Sequence, residues 1–305
     1  MPENTARRTG ALGTALTCGV FPAMFCGAMA TAFASIERGW DSGAVLLGIS
    51  AVTVVVIAVL ERVHPEYPDW NRARGDVGVD FTHALVSMIT LSELLKVGLT
   101  AALLTTATYL SERVGFELWP HDWPLVLQLV PAMLISQLGE YWVHRLNHTV
   151  PLLWRLHATH HSPHRLYFLN AARFHPIDST LSYTAGMAPL LVLGADPAIL
   201  LLVSVWVSVH GLFQHCNIHL RLGPLNYLFS MAELHRWHHS LVLKEANANY
   251  GNNIIFWDLV FGTFFHPRDR DATETVGLSD LPDFPQDYIG QLLSPFTWKR
   301  FQPND

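Results

Sequence analysis

Two long stretches without a charge constrain this chain most. Thr9 to Ile36 and Ser42 to Leu60 contain no Asp, Glu, Lys or Arg. A run of about 20 apolar residues is long enough to cross the hydrocarbon of a bilayer as a helix. A third candidate runs from Phe81 to Leu110, interrupted by Glu93 and Lys96, three apart on one helix and able to pair. A fourth covers Trp123 to Val143. Two further apolar pieces, Leu181 to Ala195 and Ala198 to Phe213, are separated by Asp196-Pro197. The first is short for a full span, so the pair reads as a re-entrant or interfacial hairpin. Composition agrees: 50% of residues are hydrophobic and 14% charged, and mean hydropathy is +0.24. The expected fold class is all-α, a transmembrane helical bundle of about four spans plus the short hairpin.

Orientation follows from the basic residues. Arg7 and Arg8 precede the first run, and Ala32-Phe33-Ala34 is a weak signal-cleavage pattern, but the run exceeds a usual signal-peptide core. A retained span is expected. With or without it, the second span crosses inward, placing Arg62, Arg72, Arg74, Arg145, Arg155, Arg165 and Arg173 on the cytoplasmic side, as the positive-inside rule prefers. The expected location is an integral membrane protein with a cytoplasmic histidine-rich face, in the plasma membrane of a bacterium or the endoplasmic reticulum of a eukaryote. Net charge is −6, with no basic surface for nucleic acid. Cys18, Cys26 and Cys216 have neither zinc-ribbon nor disulfide-framework spacing and read as reduced and structural. Three regions are expected: transmembrane helices and loops over 1–122, a metal-bearing unit over 123–266, and a polar surface tail over 267–305.

Histidine is the second feature. Of 17, 13 fall between 144 and 239. His144 and His148 form an HxxxH. His157, His160 and His161 form an HxxHH, and His235, His238 and His239 form another. His215 and His219 are again HxxxH spaced, with His210 as an alternative partner of His215. On a helix, i and i+4 share one face and can present two imidazoles to one metal. HxxHH adds a donor at a neighbouring angle, able to serve a second metal. One catalytic zinc uses about three protein ligands, so ten histidines are too many for one ion, and two metals with four or five each would account for them. Imidazole suits Fe, Zn, Cu and Ni, so ligand type does not choose the metal. A single HxxxH on an amphipathic helix arises by chance; the four clusters together do not read that way. His64, His83, His121 and His266 are isolated and read as structural or surface residues. His175, before Pro176, reads as a loop or interfacial turn. Glu140, on the helical stripe of His144 and His148, could orient a ligand ring, and Asp258 and His164 are further candidates for such support.

These motifs resemble the fatty acid hydroxylase / sterol desaturase superfamily of membrane di-iron enzymes. "EYWVHRLNH" is similar to its first box, "LHATHHS" and "LHRWHHS" to its two HxxHH boxes, and "FQHCNIHL" to the segment between them. "NYGNNIIFWDLVFGTFF" resembles its N-[FY]-G and W-D-x-x-F-G-T stretch. The resemblance covers about residues 139 to 265. It implies a transmembrane helical bundle with a cytoplasmic histidine-rich metal-binding cap. It carries His144, His148, His157, His160, His161, His235, His238 and His239 over as metal ligands, with His215 and His219 at the intermediate positions. It further implies two iron ions, O2 as co-substrate and hydroxylation or desaturation of a lipid such as a sterol, fatty acyl chain, ether lipid or carotenoid.

The sequence carries no CxxCH, no GxGxxG after a strand and no iron–sulfur cysteine set. A separate reductase, ferredoxin or cytochrome is therefore expected as electron donor. Two other classes use clustered histidines. A zinc membrane hydrolase would need a carboxylate base beside its metal-bound water, as in HExxH, which is absent. A metal transport or storage protein would carry ligands along a path near the bilayer midplane, whereas these lie at helix ends and in polar segments.

Overall fold

The computed structural model describes residues 10–114 and 118–301. Among them, structure is helical, with isolated β-bridges and no strands. Six long stretches run back and forth: α1 (Ala11–Glu37), α2 (Ser42–Val63), a third made of α3 (Val77–Thr82), a π-helical segment (His83–Ser92) and α4 (Glu93–Val114), then α5 (Leu125–Thr149), α7 (Pro176–Leu193) and α8 (Pro197–Gln214). Local chemistry sets the turns. The Asp41 carboxylate accepts from Ala44 N at 2.7 Å and caps α2. Gly194, at φ 84°, ends α7 in the left-handed region, and Pro197 opens α8.

The helix ends sort onto two sides. On one, Thr17 Oγ1 meets His64 Nε2 at 2.9 Å, Arg221 N donates to Thr17 O, and Glu66 N donates to Asn217 O. On the other, His121 Nδ1 meets Asp196 at 3.0 Å and the Trp119 indole donates to Gln128 Oε1 at 2.6 Å. All the clustered histidines lie on the first side, which we call the cap. A core of Phe21, Ile57, Ala132, Leu202 and Phe213 joins α1, α2, α5 and α8. Helices α5 and α7 approach closely at Gly139, where an added Cβ would sit 2.0 Å from Ala185 O.

Among the described residues, four helices are long and apolar enough to cross a membrane: Ala11–Glu37, Ser42–Val63, Val77–Thr106 and Pro197–Gln214. The number matches expectation, but the fourth differs. The Ala198–Phe213 piece, expected as half of a short hairpin, is a full 18-residue helix, about 27 Å long. Helix α5, expected as a span, is outside this set because Gln128, Gln137 and Glu140 interrupt its apolar run. The Glu93–Lys96 pair forms, at 2.8 Å. The C-terminal stretch also departs from a surface tail. It contains α12 (Tyr288–Leu293), and Phe284 and Trp298 are buried against Ala158. Its apolar residues at 281, 284 and 298 are too widely spaced to register as a sequence pattern.

Candidate metal centre

Four elements bring the histidines together at the cap: the end of α5, α6 (Pro151–His161), the C-terminal end of α8, which His215 caps, and α9 (Ala232–His238). His144 and His148 are one turn apart on α5. Each HxxHH box then divides. From α6, the i,i+4 pair His157 and His161 joins His144, His148 and His238 in a group of five. From the second box, the i,i+4 pair His235 and His239 joins His160 and His215 in a group of four. Each box thus gives a pair to one group and its remaining histidine to the other. The groups touch, with the rings of His161 and His239 stacked at 4.3 Å. Within each group one nitrogen per ring lies within 4.8 Å of the others.

Hydrogen bonds fix which nitrogen carries the proton. In the five-histidine group, Nδ1 of His144 donates to Tyr250 O at 2.7 Å, and Nδ1 of His238 to Ala248 O at 2.8 Å. Nδ1 of His157 donates to Asp178 Oδ2 at 2.8 Å, and Nδ1 of His148 meets Asn247 Oδ1 at 3.3 Å. A carbonyl or carboxylate oxygen only accepts, so in the neutral ring Nε2 is the bare lone pair. The Nε2 atoms of His144, His148, His157, His161 and His238 are all buried without a hydrogen-bond partner.

The four-histidine group is tighter. His160 Nδ1 donates to Arg173 O at 3.3 Å, and His215 Nδ1 to Asn170 Oδ1 at 3.1 Å. The Asn170 oxygen is fixed as acceptor because its amide nitrogen donates to Arg165 O at 2.7 Å. Both Nε2 atoms are therefore bare, yet they face each other at 3.2 Å. His235 Nε2 lies 2.9 Å from His215 Nε2 and 3.0 Å from His239 Nε2. Two lone pairs at such distances repel unless a cation lies between them. Nitrogens about 2.1 Å from one ion are about 3.0 Å apart at a right angle and about 3.4 Å apart in a tetrahedron. These donors fit metal ions. Burial first, and neighbouring imidazoles second, hold His160, His161, His235 and His239 well below the usual histidine range, and burial takes His215 down to about 3. The rings are thus neutral and ready to ligate.

Nine of the ten histidines singled out from sequence fall in the two groups. His219 does not. Helix α8 ends at Gln214, and residues 216–220 are not helical, with Ile218 bridged to Pro65. His215 and His219 therefore share no helical face, and His219 Nδ1 meets Glu66 Oε2 at 2.5 Å. His210 is buried on α8 against Phe21 and Phe229, also outside both groups. The His164 side chain is exposed. His175 Nδ1 caps α7 by accepting from Ile177 N. Glu140 accepts from Asn252 at 3.1 Å rather than from a histidine. Asp258 acts at one remove: it accepts from Tyr250 N, Gly251 N and Thr263 Oγ1 at 2.7–2.8 Å and so fixes the loop whose carbonyl holds His144.

Sequence reasoning missed the acceptors Asp178, Asn170, Asn247 and the carbonyls of Arg173, Ala248 and Tyr250. Asp178 gave a faint signal, as a carboxylate beside Pro176 at the start of an apolar run. It is fully buried and also accepts from Asn147 Nδ2 at 2.7 Å. Phe174 stacks on His160 at 4.0 Å, closing that side of the centre.

A helical bundle with candidate membrane spans and two buried histidine groups able to hold metal ions fits the class of membrane metalloenzymes. The fatty acid hydroxylase family matches residues 129–263. An ornithine lipid hydroxylase of Rhizobium tropici is 34% identical over 92% of this chain and 84% of its own length. The alkylglycerol monooxygenase of Homo sapiens is 30% identical over 53% of this chain, which spans only 35% of that protein. Sphinganine C4-monooxygenase 2 of Arabidopsis thaliana is 27% identical over 52% of this chain and 61% of its own length. No solved structure matches. The chain belongs to the fatty acid hydroxylase / sterol desaturase superfamily. It is an oxidoreductase of a family of membrane lipid hydroxylases and monooxygenases.

Proposed function

We propose that the chain is a di-iron oxygenase that hydroxylates, or alternatively desaturates, a C–H bond of a bilayer lipid. One observation carries this reading: nine histidines present their ring nitrogens to two adjacent points, and the Nε2 atoms of His160 and His215 face each other with no proton between them. The five-histidine group would hold one iron and the four-histidine group the other. When bound, the irons would supply the power to break an unactivated C–H bond with O2, two outside electrons and two protons; hydroxylation would place one oxygen in the product and release the other as water, and desaturation would release both as water. The protein's residues orient and shield. Asp178, Tyr250 O, Ala248 O, Arg173 O and Asn170 fix the rings. Phe174 and the burial of the centre exclude water.

Residues 123–266 form the catalytic unit in this reading, with a separate reductase, ferredoxin or cytochrome as donor. The cap faces the cytoplasm: among described residues Arg38 and Arg113 end helices on the far side, Lys96 lies within α4, and the other Lys and Arg are on the cap side. Because the ornithine lipid hydroxylase aligns along most of both chains, an ornithine lipid is the first substrate to offer. Iron per chain and Mössbauer spectra of iron-57 protein, followed by lipid mass spectrometry with a supplied reductase, test the proposal. Two coupled irons and a product heavier by one oxygen are expected; a protein that reconstitutes with one ion or none would end the two-iron reading.

A further inference from the structure

The segment after the second HxxHH box has an unexplained path. It leaves the metal centre at Tyr250, whose carbonyl holds His144. It then travels along α5 away from the cap. Asn252 Nδ2 donates to Glu140 Oε2 at 3.1 Å, and Asn253 donates to Gln137 Oε1 from both its backbone and its amide nitrogen, each at 3.0 Å. The Trp257 indole donates to Leu134 O at 3.1 Å. The chain then turns back as α11 (Phe256–Phe261), until Phe261 stacks on Tyr141 at 5.2 Å and Thr263 Oγ1 meets Tyr141 OH at 2.9 Å. From His144 to Leu134 is about 15 Å along a helix at 1.5 Å per residue. Helix α5 runs beside α8 from the far side, where His121 meets Asp196, to the cap, where Gln214 donates to Gly251 O. The dip therefore lies within the thickness that α8, a candidate membrane helix, crosses.

The two faces of the dip differ. Asp258 is fully buried on the inside. Phe256, Leu259, Val260 and Phe261 are 36–53% exposed on the outside. One turn beyond Leu134 on α5, Val130 is exposed too. Four neighbouring large apolar side chains open to water in so short a piece would be costly. We infer that residues 252–261 form a re-entrant wedge set into the bilayer beside α5, its outer face covered by acyl chains, and that it is the lipid-facing lip of the metal centre. The wedge is tied to the centre twice. Its stem supplies Asn247, Ala248 O and Tyr250 O to His148, His238 and His144. Its Asp258 holds Tyr250 N and Gly251 N, a contact so close that a Cβ on Gly251 would lie 2.8 Å from the carboxylate. A lipid that shifts the wedge shifts those acceptors.

The inference rests on reading the chain as membrane-spanning, and the test separates the two. Exposed Cys18 and Cys26 are replaced by alanine, leaving buried Cys216. Single cysteines at Leu259, Val260, Ile89 and Asp269 carry a spin label in full-length protein in lipid nanodiscs. Iron content confirms that each labelled protein is folded. Relaxation by oxygen, which partitions into lipid, is compared with relaxation by chromium oxalate, which stays in water. Labels at 259 and 260 should match Ile89, on the third span, with oxygen several-fold more effective than chromium oxalate, and Asp269 should show the reverse. Chromium oxalate access at 259 and 260 equal to that at 269 would place the segment in water and overturn the wedge. Exclusion of both reagents there would mean a protein occupant, such as a second copy, and would overturn it equally. A watery Ile89 would instead bring down the membrane reading beneath it.

Discussion

The five-histidine and four-histidine groups grow from the same local pattern but are supported from different parts of the chain. The five-histidine group takes its acceptors from Asp178, Asn247, Ala248 and Tyr250. The four-histidine group takes Arg173 O and Asn170 Oδ1 from the 165–173 segment, and that segment is fastened to the N-terminal helices. Arg165 makes a two-bond contact with Asp76 at 2.5 and 2.8 Å, Arg173 pairs with Asp80, and Phe168 N donates to Glu61 at 2.8 Å. The N-terminal third therefore does more than span: it sets the position of one half of the centre. Only the five-histidine group has a carboxylate bonded to one of its rings, and its His148 is the one partly exposed histidine of the nine.

Removing a ligand gives the largest effect and tests whether the groups are separate sites. His235→Ala should lose the metal of the four-histidine group and His144→Ala that of the five-histidine group, each leaving one ion and no lipid oxidation. Loss of both ions from each variant would show one cooperative centre. Cutting the N-terminal support comes next. Asp80→Asn leaves Arg173 buried without its charge partner, and breaking such a pair costs about 3–5 kcal/mol. The variant should melt earlier and lose the four-histidine metal first; equal loss from both groups would sink the idea that this support is selective. Asp178→Asn acts on the other side. Removing a partner behind a ligand imidazole costs about 10–100-fold in metal affinity, here confined to the five-histidine group and visible in one of two Mössbauer sites.

These targets also mark how far sequence carries. The boxes are legible because an i,i+4 pair on a helix is a local fact, and α5, α6 and α9 are helical where the boxes fall. The supports are not legible, because Asp80 to Arg173, Asn170 to His215 and Tyr250 to His144 join residues tens of positions apart. A backbone carbonyl also leaves no residue type to read. The same locality explains the exception. HxxxH spacing means one face only if the helix continues, and α8 stops one residue before His215. The dip of residues 252–261 was equally hidden: its apolar residues look like an ordinary short helix until Trp257 and Asn253 show where along α5 it lies.

Acid should act on both groups with one sign. His215 is held at about 3 against an ordinary 6.5, chiefly by burial, and His160, His161, His235 and His239 are displaced the same way. Below the ordinary value the unfolded chain takes up protons that the folded metal-free chain refuses, so stability falls as pH falls. The Glu66 carboxyl is raised by burial but held below its usual range by Arg236, His219 and Arg221, which outweigh it. Its contribution is therefore lost only at lower pH. Melting temperature of the metal-free protein should be level above pH 6.5 and decline below it; a decline that starts only in the carboxylate range would contradict neutral, buried histidines.

The smallest effect belongs to His219, and it sharpens the boundary of the centre. A ligand at this position would make the groups equal, five and five. The structure instead sets its ring against Glu66, in a network where Arg221 also reaches Glu66 at 3.0 Å and the His219 side chain is 16% exposed. Losing one hydrogen bond to a charged group costs about 1.5–3 kcal/mol, and Glu66 keeps Arg221 as a partner. His219→Ala should therefore keep both metals, keep lipid oxidation and lower the melting temperature modestly. Loss of an ion would mean that metal loading draws the 216–220 segment inward, and the asymmetry between the two groups would then belong to the metal-free state alone.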